Sequence, residues 1–203
     1  MKTNIKNTLT FAGITTCFLC SAGFAQDIQF FDGGYPEMCA AAARVQKGED
    51  PALVELTGTR LGIEPIELCS LAIRSAETVL NRAASYNNRG VLLFAEGSIQ
   101  EALSDFDAAL SVDDSLAQAH VNRAYTLMTL MRWEDSIAAF DKGITLGSEE
   151  QAKAHYNRGI AHEELGHVRE AYQDYLKASE LNPLWEEPKQ ELMRFTVRTG
   201  TGG

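Results

Sequence analysis

The sequence predicts an all-α fold built as a stack of helix-turn-helix repeats, and three observations support this. An Asn-Arg pair followed by a small residue recurs at a regular spacing, ending at Gly90, Ala124 and Gly159. The copies are 34 and 35 residues apart, which is the length of one helical hairpin. Each copy is followed at fixed distances by a small residue and an aromatic residue. Such a hairpin cannot bury its apolar face alone, so the copies are expected to stack on one another.

The first 25 residues are predicted to be a secretory signal peptide rather than part of this fold. Lys2 and Lys6 form a basic start, residues 9–19 are mainly apolar, and Gly23 and Ala25 are the small residues that a signal peptidase reads. A buried N-terminal helix is the alternative. The apolar run is too short to span a bilayer, so we expect no membrane insertion after cleavage.

The charge of the remaining chain argues against a nucleic-acid partner. Without the two lysines of the leader, 16 basic residues face 28 acidic residues, a net charge of −12. A surface of this sign repels phosphate backbones and anionic lipids, and no basic stripe interrupts it. The partner is therefore expected to be a protein or a peptide.

Two cysteines, Cys39 and Cys69, follow the leader, and we predict that they form a disulfide. An even pair in an exported protein favours a bridge. Closing a separation of 30 residues would stabilise the fold, by about 3–4 kcal/mol in the chain-entropy account. Two buried free thiols remain the alternative, since both cysteines lie in apolar helical contexts. Neither cysteine has the close second cysteine typical of a metal site.

Residues 26–82 are predicted to form an N-terminal helical segment. An apolar helix runs from Pro36 to Gln46, and a second short helix spans residues 52–61. A third begins at Pro65, where Ile66, Cys69 and the apolar residues after them share one face at spacings of three and four.

Residues 83–183 are predicted to hold three repeats, at about 83–116, 117–151 and 152–185. Counting the residue after Asn-Arg as the eighth position brings the others into register. The twentieth position holds Ala102, Ser136 and Ala171, the twenty-fourth holds Phe106, Phe140 and Tyr175, and the twenty-seventh holds Ala109, Gly143 and Ala178. Small residues let antiparallel helices approach closely, and one aromatic ring fills the remaining gap. Gly97 and Gly166 suit the left-handed turn between helices, where Met131 requires strain or a different turn.

This pattern resembles the tetratricopeptide repeat, and Asn182-Pro183 at the close of the third copy matches it as well. The resemblance implies a right-handed superhelical stack. Residues 67–72 look like the second helix of a degenerate fourth copy. A C-terminal capping helix is expected over 184–198, because the last hairpin would otherwise expose its stacking face. Residues 199–203 are expected to be disordered.

In this family the first helices line a concave groove, and the resemblance places three asparagines there, Asn88, Asn122 and Asn157. A column of amides could grip the backbone of an extended peptide through donors and acceptors. Alternatively, each asparagine bonds only to a neighbouring helix. Five further candidates fall at groove positions, and these are Asn87, Gln118, Tyr125, Lys153 and Tyr156.

No catalytic chemistry is predicted, and no cofactor is expected. The segment His162–His167 resembles a zinc-binding His-Glu-x-x-His motif, but its histidines are five residues apart with Gly166 between them. The carboxylate pairs are expected to be solvated or capping groups. The sequence therefore predicts a non-enzymatic adaptor or scaffold, exported to a bacterial periplasm, that binds a partner in its groove. A self-association module forming a homodimer is the alternative.

Overall fold

The computed structural model describes residues 35–46 and 63–195, and within these ranges every regular element is a helix. The predicted signal peptide, the predicted helix over 52–61 and the predicted tail lie outside the described residues. The helices are α1 (Tyr35–Gln46), α2 (Pro65–Ser75), α3 (Val79–Ala95), α4 (Ile99–Val112), α5 (Ala117–Thr129), α6 (Trp133–Thr145), α7 (Gln151–Glu164), α8 (Val168–Leu181) and α9 (Glu186–Met193). The predicted all-α stack is confirmed.

Three helical hairpins form the body of the stack. Helix α3 packs against α4, α5 against α6 and α7 against α8, and the hairpins join through contacts of α4 with α5 and of α6 with α7. The first helices of the hairpins, α3, α5 and α7, also touch one another in sequence. These three helices therefore form one continuous inner row.

Each hairpin turns through the same hydrogen-bonded motif. In the first, Ser98 N–H donates to the Leu93 carbonyl at 2.9 Å and Gly97 N–H to the Phe94 carbonyl at 3.0 Å. This pair of hydrogen bonds requires a residue with a left-handed backbone conformation after the helix. Gly97 (φ 84°) and Gly166 (φ 75°) supply it without strain, whereas Met131 adopts φ 56° with a side chain. The middle hairpin therefore forms the same turn with a strained backbone at Met131.

The first hairpin begins earlier than residue 83, the predicted start of the repeats. Helix α3 starts at Val79, because the Thr78 side chain accepts a hydrogen bond from Asn81 N–H at 3.1 Å and caps the helix. The extra turn carries Val79 and Leu80, which are 62% and 59% exposed and outside the repeat register. For this reason the repeat pattern did not include them.

Glycines at the eighth position let the hairpins close. A Cβ atom added at Gly90 would lie 2.7 Å from Phe106 Cε1, and one at Gly159 would lie 2.9 Å from Tyr175 Cε1. Both rings are about 1% exposed. The aromatic side chain at the twenty-fourth position therefore covers the glycine of the facing helix, as the spacing predicts.

The N-terminal helices are tied by the predicted disulfide. Cys39 of α1 and Cys69 of α2 are bonded, with their Cα atoms 4.7 Å apart, and both residues are fully buried. Helix α1 contacts α3 as extensively as it contacts α2, whereas consecutive inner helices of the repeats barely touch. The α1–α2 pair therefore departs from regular repeat packing, and its origin as a degenerate repeat stays a prediction.

The C-terminal cap is shorter than predicted. Helix α9 covers Glu186–Met193 and packs against α8, with Pro188 buried in the contact. Leu184 and Met193 remain 91% and 77% exposed. A helix of two turns cannot cover the whole end of the stack, so apolar surface remains there. Among the described helices, none has the length and apolar character needed to cross a bilayer.

Candidate functional site

A cleft of about 510 Å³ opens on the inner row of helices. Helices α3 and α5 supply most of its walls, and α7 closes one side. The end of α1 contributes Gln46, so the N-terminal segment bounds the cleft at the beginning of the stack. The lining residues are Gln46, Val91, Phe94, Ala95, Phe106, Asn122, Tyr125, Met128, Thr129, Glu150, Lys153 and Asn157. We call this the inner cleft.

One half of the inner cleft is apolar. Val91 and Phe94 of α3 face Tyr125 and Met128 of α5 across it. The Tyr125 ring is held from behind by an edge-on contact with Phe140, with centroids 5.3 Å apart at 85°. Burial, with the nearby Glu150 carboxylate, raises the pKa of Tyr125, so its hydroxyl stays protonated and available as a donor. This half can take a large apolar side chain.

The other half of the cleft is polar, and its amides form a chain of hydrogen bonds. Asn122 Nδ2 donates to Asn87 Oδ1 at 2.9 Å, and Asn87 Nδ2 donates to Asn88 Oδ1 at 3.3 Å. Gln118 Nε2 donates to Asn122 Oδ1 at 3.2 Å and to Glu150 Oε2 at 2.8 Å. These bonds fix the orientation of the Asn122 amide at the floor of the cleft.

Lys153 and Asn157 of α7 complete the polar half. Lys153 Nζ forms an ion pair with Glu150 Oε1 at 2.7 Å, and its side chain is 61% exposed. Asn157 Nδ2 donates to the Lys153 carbonyl at 2.8 Å, and its side chain also lies in hydrogen-bonding contact with Tyr125. The cation is thus held at the rim, where a partner can reach it.

Of the eight predicted binding residues, four line the inner cleft, three lie behind it and one lies elsewhere. Asn122, Tyr125, Lys153 and Asn157 line the inner cleft. Asn87 and Gln118 lie behind them as hydrogen-bond partners of Asn122, and Asn88 is one step further along the same chain of bonds. Tyr156 lies elsewhere, against Trp185 just before α9.

The three predicted asparagines have different surroundings, and their role in peptide binding stays a prediction. Asn122 is only 8% exposed. Its amide nitrogen donates to Asn87, and its amide oxygen accepts from Gln118. The bond to Asn87 joins the fifth position of one repeat to the sixth of the next, a pairing that counting within a single repeat does not reveal. Only Asn122 and Asn157 of the three reach the cleft.

Sequence reasoning missed Gln46 and Glu150 as lining residues. Neither belongs to the repeat register, because Gln46 ends α1 and Glu150 precedes α7. Val91, Phe94 and Met128 also line the cleft and are not among the predicted site residues. Their apolar character at the ninth and twelfth positions was the available indication.

A second group of aromatic side chains lies at the C-terminal end of the inner row. The Tyr156 ring contacts Trp185 with centroids 4.8 Å apart and Tyr175 with centroids 5.5 Å apart. Tyr175 is anchored by its hydroxyl, which donates to Glu163 Oε2 at 2.9 Å. Arg194 pairs with Glu163 at 2.5 Å and with Glu191. We call Tyr156 and Trp185 the aromatic pair.

The outer side of the third hairpin carries an ion cluster that stabilises the packing. Arg158 donates to both carboxylate oxygens of Asp174 at 2.6 and 2.8 Å and to Asp141 at 2.5 Å. His155 Nδ1 lies 2.8 Å from Asp174 Oδ1. Burial acts to raise the pKa of Asp174, but the bonds from Arg158 and His155 outweigh it and hold that pKa below its usual value. Asp174 therefore remains ionised.

His162 and His167, singled out in the sequence, approach with their Nδ1 atoms 3.3 Å apart. Burial is the main cause that lowers the pKa of His162. Within residues 35–46 and 63–195, no group of three or more histidine, cysteine, aspartate or glutamate side chains has a metal-binding arrangement. The two histidines therefore form a side-chain contact at the turn of the third hairpin.

Comparison with protein families finds repeat models that are similar to parts of this chain. Two tetratricopeptide repeat models match residues 87–150 and 152–183. The DnaJ homolog subfamily C member 7 homolog of Schizosaccharomyces pombe is 32% identical over 114 residues, or 54% of this chain and 24% of that protein. The tetratricopeptide repeat protein 36 homolog of Drosophila pseudoobscura pseudoobscura is 32% identical over 97 residues, or 46% of this chain and 52% of that protein. The chain thus spans at most about half the length of these relatives.

Solved structures share the fold. The first repeat domain of Spaghetti (RPAP3), bound to an HSP90 peptide, has a TM-score of 0.54 at 24% identity and covers 57% of this chain and 90% of that chain. MamA has a TM-score of 0.59 at 16% identity, covering 75% and 80%. YrrB, described as having an unusual peptide-binding site, has a TM-score of 0.56 at 23% identity, covering 63% of each chain. At these identities the likeness concerns the fold alone.

Proposed function

We propose that the tetratricopeptide repeats of this chain, matched at residues 87–150 and 152–183, bind an extended segment of a partner protein in the inner cleft. The protein would act as a non-enzymatic adaptor or scaffold. The observation that carries this proposal is the meeting of an apolar wall and an ordered polar floor in one cleft on the inner row.

The two halves of the inner cleft suit different parts of a peptide. The apolar half between Phe94 and Met128 can bury a side chain, which supplies affinity at about 25 cal/mol per Å². In the polar half, Asn157 and the Tyr125 hydroxyl can bond to peptide amides. A structure related in fold holds an HSP90 peptide, which is consistent with this use of the repeats.

The chain departs from a site built for a terminal carboxylate. Lys153 is the cation that lines the inner cleft among the described residues, and it is already paired with Glu150. Recognition of a carboxylate by several cations is therefore disfavoured. We infer an internal peptide segment with a large apolar side chain as the ligand.

Site-specific photo-crosslinking tests this proposal. A photoreactive phenylalanine analogue at Met128, inside the cleft, is compared with one at exposed Val168, which begins α8 and does not line the cleft. We expect a discrete crosslinked partner from position 128 alone. Phe94→Glu should abolish that product, while Val168→Glu should leave it intact. Equal crosslinking from both positions would contradict peptide binding in the cleft.

We also propose that the chain is exported to a bacterial periplasm after removal of a signal peptide ending at Ala25. The Cys39–Cys69 disulfide supports this, because such bridges persist in oxidising compartments. N-terminal sequencing of the protein recovered from fractionated cells tests it. We expect a periplasmic chain beginning at Gln26 with its cysteines oxidised. A reduced cytosolic protein that retains residues 1–25 would contradict this proposal.

Self-association is a second candidate function, favoured by the exposed Leu184 and Met193 at the C-terminal end. Two copies meeting there would bury this apolar surface. Sedimentation of the wild-type chain and of Leu184→Ser separates the cases. A dimer that the substitution disrupts supports self-association, and a monomer at all concentrations removes it.

A further inference from the structure

We propose that the aromatic pair forms a second subsite of the same groove, which binds a lysine or arginine side chain of the peptide. This inference rests on the proposed function of the inner cleft and extends it. The ligand class becomes a peptide with a large apolar side chain and, a few residues away, a basic one. Glu187 and Glu191 supply the opposing charge.

The geometry of the aromatic pair suits a flat or elongated cation. Tyr156 and Trp185 are both half-buried, and their rings meet at 52° rather than lying parallel. Tyr175 packs behind Tyr156 and is fixed through its bond to Glu163. Two inclined, rigidly supported rings offer π-faces to one cation. A cation–π contact of this kind stabilises binding by about 0.5–2 kcal/mol.

The charges around the aromatic pair favour a cation over an apolar or acidic side chain. Three carboxylates, Glu163, Glu187 and Glu191, act electrostatically on Tyr156, against one cation, Arg194. Arg194 is committed to Glu163 and Glu191. Within the described residues Glu187 makes no ion pair. The local excess of negative charge matches the whole chain, whose formal charge is −10, and it would speed encounter with a basic segment.

The carboxylates act on Tyr156 itself. Burial comes first among the causes that raise the pKa of the Tyr156 hydroxyl, and the negative charges of Glu191 and Glu187 follow. The glutamates are therefore close enough to the ring to influence its electrostatic environment. A cation placed on that ring would interact with the same two carboxylates.

The spacing of the helices sets the distance between the apolar residue and the basic residue of the ligand. The inner cleft centres on α5, and the aromatic pair joins α7 to α9. Neighbouring helices pack about 8–10 Å apart, so the subsites are about 10–15 Å apart. An extended peptide covers that distance in about three or four residues. The ligand pattern is therefore an apolar residue and a basic residue separated by two or three others.

A synthetic library of eight-residue peptides, acetylated and amidated to remove terminal charges, tests this pattern on the purified full chain. We expect enrichment of peptides with a large apolar residue and, three or four positions away, lysine or arginine. The best peptide is then compared with its copy carrying norleucine in place of the basic residue. Wild-type protein should bind the basic peptide about fivefold more tightly, within the range of a cation–π contact.

The double variant Glu187→Gln/Glu191→Gln should bring the ratio of the affinities for the basic and the norleucine peptide close to one. Its affinity for the norleucine peptide should not change. The matched control is Glu101→Gln/Glu134→Gln, which removes the same charge from exposed positions on the second helices α4 and α6. We expect the control to keep the wild-type ratio. Tyr156→Leu should also lose the preference, and circular dichroism checks that each variant is folded.

The outcomes separate this inference from the proposed function. If apolar peptides bind but wild-type protein does not distinguish lysine from norleucine, the second subsite is refuted and the inner cleft stands. If the library yields no binding peptide, the proposed function fails and the inference fails with it. If sedimentation reveals a dimer that Trp185→Ala dissociates, a second copy occupies the aromatic pair and the inference is overturned.

Discussion

In the first and third hairpins, glycine lies where the two helices meet, whereas the middle hairpin has Ala124. The rings of Phe106 and Tyr175 pack over Gly90 and Gly159. In the middle hairpin the Ser136 hydroxyl donates to the Ala124 carbonyl at 3.1 Å, and Phe140 packs edge-on against Tyr125 instead. The same register thus holds two solutions to close helix packing.

The ion pairs and turns differ in the same way. Arg89 and Arg158 each make two bonds to a buried aspartate, Asp105 and Asp174 respectively. Arg123 in the middle hairpin instead pairs with Asp107, whose side chain is 53% exposed. The turn there carries Met131 at positive φ, whereas the first and third hairpins have glycine.

These differences indicate that stabilisation and binding are assigned to different hairpins. The first and third hairpins carry the tight ring–glycine contacts and the buried ion pairs, and so hold the ends of the repeat array. The middle hairpin lacks the ring–glycine contact and the buried ion pair, and its Phe140 instead packs against Tyr125 of the inner cleft. We expect substitutions at matched positions to separate the two roles.

Removing the buried acid of the third hairpin should have the largest effect. Asp174 is 4% exposed as a side chain and neutralises Arg158, which is 19% exposed. Asp174→Ala leaves that cation buried with only Asp141, so we expect a loss of about 3 kcal/mol in the free energy of unfolding. Asp107→Ala, which removes the exposed partner of Arg123 from α4, should cost less than about 1 kcal/mol. Urea denaturation measures both, and equal losses would contradict the comparison.

Adding a side chain at the eighth position should destabilise the first hairpin next most strongly. Gly90→Val places atoms where Phe106 Cε1 lies 2.7 Å from the added Cβ, and we expect a loss of about 2–3 kcal/mol from overpacking. The middle hairpin should respond to the opposite change. Ala124→Gly removes a buried methyl group and lowers helix propensity, at a cost of about 1 kcal/mol. Thermal unfolding followed by circular dichroism distinguishes them. If Gly90→Val unfolds at the wild-type temperature, Phe106 does not constrain the glycine.

Substitutions in the turns should change stability less, and in opposite directions in the middle and first hairpins. Met131 is 75% exposed and adopts φ 56°, so Met131→Gly loses little packing and relieves backbone strain. We expect a gain of about 1 kcal/mol in stability. Gly97→Ala should lose a similar amount, because φ 84° is strained for any side chain although space for a Cβ exists. Urea midpoints measure both changes. A loss of stability in Met131→Gly would mean that the Met131 side chain stabilises the fold through packing.

Much of this fold could be predicted from the sequence, because each hairpin repeats one local rule. The spacing of Gly159 and Tyr175 encodes a contact between adjacent helices, and the structure has that contact. The left-handed turn at Met131 was likewise predictable, although the choice between strain and another turn was not. The pairing of Cys39 with Cys69 followed from their number and from the expected export.

Contacts between repeats could not be predicted in the same way. The Asn122–Asn87 bond depends on how one hairpin is rotated relative to the next, and that rotation is the sum of many side-chain contacts. Asn87 and Asn88 are adjacent in sequence but about 100° apart around α3, so only the assembled stack decides which one meets Asn122. The place of Tyr156 beside Trp185 has the same cause, since α9 lies outside the repeat register.

The smallest expected effect concerns acid stability, and it tests the buried ion pair of the third hairpin without removing its shape. Bonds from Arg158 and His155 keep the pKa of Asp174 below its usual value despite burial. A carboxylate whose pKa is lower in the folded state contributes stability that is complete above its unfolded pKa, near 3.9, and is lost as the pH falls through the folded pKa. Wild-type stability should therefore fall more steeply than that of Asp174→Asn between about pH 4 and pH 2. Urea unfolding at each pH measures the two slopes. Parallel curves would mean that Asp174 is equally easy to protonate in the folded and unfolded chains, and the third hairpin would then lose its distinction from the middle one in this respect.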